Sequence, residues 1–425
     1  MNEEFLQFLW KFQLFDVENL YCTTGEKVVP LHVGSHNTAA GPDFFNAKIQ
    51  IGEEVWAGNV EIHQRTSDWV RHNHHKNKAY DNVILHVVAH DDDSTIHRTT
   101  GSLIKCAVMN FNSQLEERYR EIQNSTGWVA CEPHIKKVDE FVVKQLMGRL
   151  LVERLGKRVE AIQQELIRTS KNWEEVFYIF LLRTFGFSIN ALPFELLAKS
   201  LPYQLILKHR NRRMAVEALL FGQSGLLEKV VDDEYYRSLK AEYAFLRAKY
   251  KLKPLEGSLW KFLRTRPHNF PTIRIAQLAA VLCREVNLFS MVISCRNIQE
   301  FKRFFEDAEV SDYWISHFAF GSPSKGRSKW LGDSALNLLA INLWIPFVFA
   351  YGHFNDSYSF KERALDLLET ISPDDNSLID KWRELGMPTG SAFYTQALLH
   401  LKSEYCDLKK CLHCSIGKKI VEGAS

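Results

Sequence analysis

The chain has 425 residues, and its 46% hydrophobic and 24% charged residues are ordinary values for a globular protein and exclude disorder over most of the length. Its 53 Lys and Arg balance 51 Asp and Glu, so the net charge of +2 excludes an overall field that draws the protein to nucleic acid or membrane. At roughly 150 residues per domain, we expect two domains.

Two negative features indicate where the protein is found. The N-terminus is acidic where a secretory signal would be basic, with Glu3 and Glu4. No uninterrupted apolar run approaches the ~20 residues that cross a bilayer. We therefore expect a cytoplasmic protein that does not associate with a membrane.

The first 65 residues predict a helix followed by strands. Large apolar residues recur at helical spacing from residue 3 to 15, and residues 27–33 form a strand that Pro30 confines to a sheet edge. Residues 44–51 and 54–63 alternate as two strands, joined by a turn at Gly52-Glu53. This region therefore predicts a hairpin next to an edge strand.

A polar helix is expected from Ser67 to Lys78, followed by a nearly continuous apolar strand over residues 82–90. The order of helix, strands, helix and strand predicts an α+β domain over residues 1–125, with a small mixed sheet and flanking helices.

After Lys137 the pattern becomes helical, which predicts an all-α domain over residues 138–425 that includes the C-terminal cysteines. Apolar residues from Leu146 to Leu166 follow one stripe of a long helix. Further helices are predicted at residues 173–185, 193–208, 212–221, 233–250, 271–285, 297–307, 333–350, 360–370 and 390–404.

The residues best suited to chemistry are Asp43, Glu61 and His63. The pleat of a strand through residues 60–63 places Glu61 and His63 on the same face. Two carboxylates at neighbouring strand ends can bind Mg²⁺ or Mn²⁺, and His63 can orient or deprotonate a water molecule. In the alternative interpretation, Asp43 caps backbone amides in a turn while Glu61 and His63 pair on a solvated face.

This arrangement resembles the PD-(D/E)XK nuclease superfamily, through Pro42-Asp43 and Glu61-Ile62-His63. The resemblance implies a restriction-endonuclease-like core and metal-dependent hydrolysis of nucleic acid. It also implies a polar role for Gln64 and a further acid from the first helix region, Glu4 or Glu18. The sequence departs from that pattern because His63 stands where the superfamily has lysine.

A second resemblance spans nearly the full length. The segments 37–47, 58–63, 80–88 and 266–271 are similar to a family of bacterial proteins of unknown function, found largely in Bacteroidetes. This resemblance implies no activity.

Histidines crowd the region between residues 63 and 90. His72 and His75 lie three residues apart, on one face of the predicted helix, and could bind Zn²⁺ or contact phosphate. A solvent-facing polar helix explains the same pattern.

The C-terminal Cys406-x4-Cys411-x2-Cys414 motif supplies three of the four ligands that Zn²⁺ or an iron–sulfur cluster requires. The fourth ligand stays open among His413, His400, Cys131 and a cysteine elsewhere in the chain. Some relatives within the nuclease superfamily hold a cluster partly through C-terminal cysteines. Three unligated thiols on a basic helix are the alternative.

Basic residues mixed with aromatic ones in the helical part are typical of a groove that follows a nucleic-acid backbone, and also of ordinary helix surfaces. The candidates are Arg210, Arg212, Arg213, Lys261, Arg264, Arg266 and Arg274. The sequence therefore favours a metal-dependent nuclease-like protein. The alternative is a non-catalytic scaffold for nucleic acid or protein that keeps only the architecture, and the sequence leaves open which of the two applies.

Overall fold

The computed structural model describes residues 2–263, 265–284, 287–306 and 308–423. It divides into two compact units, the first formed by Met1–Leu146 with Leu401–Ser425 and the second by Met147–His400. The C-terminal cysteines therefore group with the first unit, whereas the sequence placed them in the helical domain. The reason is local packing, because Leu412 and Val421 are buried in the same core as the N-terminal helix.

The first unit is built on a six-stranded mixed sheet with the order β1-β3-β4-β5-β6, in which β2 pairs with β3. β3 and β4 form the predicted antiparallel hairpin, whereas β5 lies parallel to both β4 and β6. The strands are β1 Val28–His32, β2 Ser35–His36, β3 Phe44–Ile51, β4 Glu54–Arg65, β5 Val83–His90 and β6 Lys105–Val108. The edge position of β1 and the burial of β5 confirm the sequence predictions.

The helices of this unit include α1 Glu3–Phe12, α2 Asp68–Arg71, α3 Ser113–Asn124 and the C-terminal α19 Ser415–Glu422. α1 begins where the Asn2 side chain accepts a hydrogen bond from the backbone N–H of Phe5, and it ends at Gln13 in the left-handed conformation. One face of α1 is buried in the core of the unit. This packing fixes α1 against the sheet.

The prediction of one polar helix from Ser67 to Lys78 is wrong. α2 ends at Arg71, and two single 3-10 turns follow at His74–Lys76 and Lys78–Tyr80. Asn73 lies between them with a φ of 63°, a left-handed conformation that stops an α-helix and that asparagine tolerates better than most residues. The segment from α2 to Tyr80 is thus an irregular crossover between the parallel strands β4 and β5.

The second unit is mainly helical, and with the mixed sheet of the first unit this confirms the α+β class. Most of its longer helices agree with the apolar periodicity, although the predicted segment 193–208 is two helices that end and begin around Pro202. The short helices at Leu288–Ser294, Asp312–Ile315 and Ser377–Glu384 were not predicted, and the predicted helix ends at residues 285 and 307 lie outside the described residues. The helices are α4 Glu140–Arg168, α5 Trp173–Phe185, α6 Ala191–Ser200, α7 Tyr203–His209, α8 Arg213–Gln223, α9 Glu234–Tyr250, α10 Pro271–Arg284, α11 Leu288–Ser294, α12 Ile298–Glu306, α13 Asp312–Ile315, α14 Asp333–Leu339, α15 Ile345–Phe354, α16 Tyr358–Thr370, α17 Ser377–Glu384 and α18 Ala392–Leu401. A short hairpin of β7 His317–Ala319 and β8 Ser322–Pro323 lies among them.

One continuous helical stretch, Asp333–Phe354, is long and apolar enough to cross a membrane by length and composition, with a mean hydropathy of 1.6. Its most apolar window is 72% buried inside the protein. Such burial is typical of a core helix in a folded domain.

Candidate metal centre

The paired strands β3 and β4 bring Asp43, Glu61 and His63 together. Asp43 immediately precedes β3, and Phe44 is paired with Val60 of β4. Glu61 and His63 are only 4% and 2% exposed, so they lie in a buried part of the unit. The alternative interpretation of a solvated sheet face therefore does not hold for these two side chains.

Asp43 and Glu61 each bind the backbone next to the other. The backbone N–H of Asp43 donates to Glu61 Oε2 at 3.0 Å, and the N–H of Ile62 donates to Asp43 Oδ2 at 2.9 Å. The Gln7 amide donates to the second oxygen, Asp43 Oδ1, at 2.7 Å. Both oxygens of Asp43 are thus engaged by protein donors, while Glu61 Oε1 is directed at histidines.

The two acids that the resemblance implied have no described contact with this group. Glu4 pairs with His413 at 3.3 Å, and Glu18 is exposed. Glu3 raises the pKa values of Asp43, Glu61 and His74, although burial has the larger effect on all three groups. Glu3 lies one turn before Gln7 on the same face of α1.

A contact with His86 orients the imidazole of His63. His63 Nδ1 lies 2.8 Å from His86 Nε2, and His86 is fully buried on the neighbouring strand β5. Burial lowers the pKa of His63 far below its ordinary value and that of His86 to about 3. Both rings are therefore neutral near pH 7, which is the form that binds metals. A hydrogen bond at Nδ1 leaves Nε2 of His63 available as a ligand.

The crossover segment after α2 adds two more imidazoles. His72 Nδ1 lies 3.1 Å from His63 Nε2, and the ring of His74 stacks on Tyr80 with a centroid separation of 3.8 Å. The left-handed turn at Asn73 allows residues 72 and 74 to face the same point. The ligand atoms of His63, His72 and His74 all lie within 4.8 Å of one another and could hold a metal ion.

Glu61 adds a carboxylate oxygen beside two of these histidines. Glu61 Oε1 is 3.5 Å from His63 Nε2 and 3.3 Å from His74 Nε2. His74 Nε2 is buried and makes no hydrogen bond among the described residues. Four ligands held about 2.0–2.1 Å from a tetrahedral ion are separated by about 3.3–3.4 Å. The 3.1 Å between His63 and His72 and the 3.5 and 3.3 Å from Glu61 to His63 and His74 are close to that spacing, so these residues could hold a metal ion.

The electrostatics of the two carboxyl groups also favour a cation. Burial, and for Asp43 the neighbouring Glu61, raise the pKa of Asp43 to about 7 and that of Glu61 to about 8. Ionising these two carboxyl groups is therefore unfavourable in the absence of a cation. A metal ion would offset this cost because it stabilises the carboxylate forms. His72 is exposed, so the group is open to solvent on that side.

Two secondary candidates do not join the group. Gln64 is half-buried and, by strand alternation, points to the face opposite His63. His75 follows His74 but is not among the grouped ligands.

Sequence reasoning missed His74, His86, Glu3 and Gln7, and the density of histidines between residues 63 and 90 was the one signal that could have indicated the first two.

The predicted nucleic-acid contacts belong to the second unit. Arg212 pairs with Glu242 at 3.0 Å, and Arg213 and Lys261 are exposed. Arg274 is buried, where its guanidinium donates to Asn269 and Gln277 and stacks on Phe187, so it is not on an exposed basic surface. For the remaining candidates, Arg210 is half-buried, Arg266 is exposed and Arg264 lies outside the described residues.

A family model described as "Protein of unknown function (DUF2851)" matches residues 3–377, and the chain therefore belongs to this family. No curated protein and no solved structure gives a significant match.

Proposed function

We propose that this family member is a metal-dependent hydrolase of phosphodiesters, with a divalent transition metal held by His63, His72, His74 and Glu61. The observation that supports it is the convergence of three imidazole nitrogens within 4.8 Å of one another, with Glu61 Oε1 3.5 and 3.3 Å from the nitrogens of His63 and His74. The sequence favoured an oxygen-rich Mg²⁺ or Mn²⁺ site at Asp43 and Glu61. Three nitrogen ligands favour transition-metal ions, such as Zn²⁺, Fe²⁺ and to a lesser degree Mn²⁺, over Mg²⁺.

A bound ion of this kind would polarise a phosphoryl oxygen and lower the pKa of a bound water molecule. The residues of the chain have separate tasks. His86 fixes the ring of His63, and Asp43 holds the backbone of β4 at Ile62. Gln7 in turn holds Asp43. The exposed His72 leaves an approach for substrate and water.

The charges around the opening support an anionic substrate. The crossover segment that contains His72 and His74 also contains Arg71, Lys76 and Lys78, all exposed. Arg71 is close enough to His63 to lower its pKa, in addition to the larger effect of burial. Cationic side chains beside a metal site suit the non-bridging oxygens of a phosphodiester, as in nucleic acid.

The second candidate is a non-catalytic scaffold, which the reciprocal bonds of Asp43 and Glu61 favour. Each carboxylate accepts a backbone N–H beside the other, and these bonds tie the start of β3 to β4. Such bonds stabilise a sheet without any reaction.

The test is cleavage of labelled DNA and RNA by the full-length protein, stripped of metal and resupplied with Zn²⁺, Mn²⁺ or Mg²⁺. We expect Zn²⁺ or Mn²⁺ to restore cleavage in the wild type and in His90→Ala, an exposed position at the end of β5. Glu61→Gln and His72→Ala should lose it by at least about 100-fold. Equal cleavage by the wild type and Glu61→Gln, or none by any protein, refutes the catalytic proposal and leaves the scaffold.

A further inference from the structure

The C-terminal segment of the first unit holds three cysteines in fixed positions. A π-helical turn at Lys402–Cys406 and a 3-10 turn at Cys411–His413 lead into α19, Ser415–Glu422. Leu412 is buried in the core formed by α1 and the sheet. α19 lies directly against Cys411, since a Cβ added at Gly417 would stand 2.2 Å from its carbonyl oxygen. These cysteines are therefore parts of a packed structure.

A loop distant in sequence lies against this segment and contains a fourth cysteine, Cys131. The ammonium group of Lys402 stands 5.3 Å from the ring centroid of Trp128 in that loop. Ala130 packs against the same core as Cys411. Residues 134 and 137, just after the loop, line a cavity together with residues 419 and 420 of α19. The fold thus brings Cys131 to the C-terminal cysteines.

The four cysteines also influence one another electrostatically. Burial raises the pKa of Cys131 to about 12, and Cys414 and Cys411 add to this increase. Burial likewise raises the pKa of Cys406, with added contributions from the other three thiols. Since such repulsion falls off with distance, these effects agree with the contacts that bring the loop around Cys131 to the C-terminal segment.

We propose that Cys131, Cys406, Cys411 and Cys414 ligate an iron–sulfur cluster that fastens the C-terminal segment to the loop around Cys131. Four thiols, of which Cys414 is buried and the other three are half-buried, repel one another when ionised, and a cationic metal centre would offset that repulsion. The site lies apart from the histidine group, and the proposal does not depend on the phosphodiesterase function.

The other candidates for the fourth ligand have partners elsewhere. His413 pairs with Glu4 at 3.3 Å, and His400 pairs with Glu153 at 3.6 Å. Cys131 is therefore the residue that completes the set.

Sulfur spacing favours a cluster over a single zinc ion. Zinc bonds of about 2.3 Å place tetrahedral sulfurs about 3.8 Å apart. Over the described part of the chain, the ligand group that meets a 4.8 Å limit is the histidine group, so no three of these sulfurs all lie within 4.8 Å of one another. A multi-iron centre requires such a wider arrangement. Lys402 and Lys409 act on Cys406 and Cys411, respectively, and would offset the negative charge of the thiolates.

The test is anaerobic purification of the full-length protein, followed by measurement of iron, acid-labile sulfide, zinc and visible absorption. We expect iron and sulfide in similar amounts with a broad absorption band, lost at least tenfold in Cys131→Ser and Cys411→Ser. The matched control is Cys283→Ser, a partly exposed cysteine of the second unit, which should retain the iron.

A second measurement avoids the risk that a variant fails to fold. Alkylation of the wild-type protein, mapped by mass spectrometry, should leave Cys131 and the three C-terminal cysteines protected until the iron is removed by a chelator and an oxidant. Zinc in place of iron, or iron that Cys131→Ser retains in full, would overturn the proposal. So would alkylation of Cys131 at the same rate before and after iron removal.

Discussion

The substitution His74→Ala distinguishes the histidine group seen in the structure from the one that the sequence pattern suggested. The histidine spacing indicated His72 with His75, whereas the structure groups His72 with His74 and His63. We therefore expect His74→Ala to weaken metal binding and His75→Ala to leave it nearly unchanged. The two positions are adjacent in sequence, so each variant is the control for the other.

The expected magnitude follows from the four ligand atoms around the proposed ion. Loss of a residue that only orients a ligand weakens metal binding by about 10–100-fold, so loss of His74 itself should cost at least about 100-fold. When free metal is present at about 100 times the wild-type Kd, binding stabilises the wild type by about 2.7 kcal/mol. A variant that binds about 100-fold more weakly gains about 0.4 kcal/mol under the same conditions. The difference, about 2.3 kcal/mol, is a loss of roughly 5–9 °C in the metal-induced Tm shift of a unit of this size.

The assay is a thermal unfolding series with and without Zn²⁺ or Mn²⁺, together with isothermal titration of the metal-free proteins. The metal-induced shift is compared within each protein, because His74→Ala also removes the stacking contact with Tyr80 and lowers stability without metal. A metal-induced shift in His74→Ala equal to that of the wild type refutes the ligand set. A shift lost equally in His75→Ala would show that the histidine-rich segment binds metal without the geometry described above.

Three further predictions concern the backbone and a buried charge. Asn73→Val should destabilise the fold by about 1–2 kcal/mol and weaken metal binding, because a β-branched residue disfavours the left-handed φ of position 73. Asn73→Gly tolerates this φ and should bind metal normally when the metal is titrated. Gly58→Ala places a Cβ 2.4 Å from Ile84 Cγ2 and should lower the free energy of unfolding, measured with denaturant, by about 1–3 kcal/mol. The control Gly148→Ala has open space around it in α4 and should cause no loss of stability. An equal loss of stability in both variants would contradict the packing argument. Burial raises the pKa of Glu217 above its ordinary value of 4.5. Between the pKa of the unfolded state and the higher pKa of the folded state, the folded protein binds more protons than the unfolded chain, so stability falls as pH rises through this range. The stability of Glu217→Gln relative to wild type should therefore increase from pH 4 to pH 8, and a pH-independent difference would contradict this assignment.

Much of the fold could be predicted from the sequence because its determinants are local. Apolar periodicity located the hairpin of β3 and β4, the buried strand β5 and most helices of the second unit, such as α5 at Trp173–Phe185. The alternation of a strand also placed Glu61 and His63 on one face before the structure was known. These features depend on residues within one turn or one pleat of each other, so the order of side chains along the chain is sufficient.

The candidate site was predicted only in part because its remaining members come from distant segments or from an unusual backbone conformation. Asn73 in the left-handed region, and not helical spacing, selects His74 over His75. The parallel pairing of β4 with β5 places His86 behind His63, and α1 brings Gln7 to Asp43. Long-range packing likewise brings Cys131 to the C-terminal cysteines.

The sequence by itself therefore determined most of the elements, the α+β class and the pair Glu61 and His63, since period and pleat are properties of a short stretch of chain. Tertiary structure decided which imidazoles meet at one point, which residue of α1 binds Asp43 and which cysteine lies near the C-terminal three. The physical reason is that ligands of one metal must lie within about 3–4 Å of each other. Only the packing of separate segments sets distances on that scale.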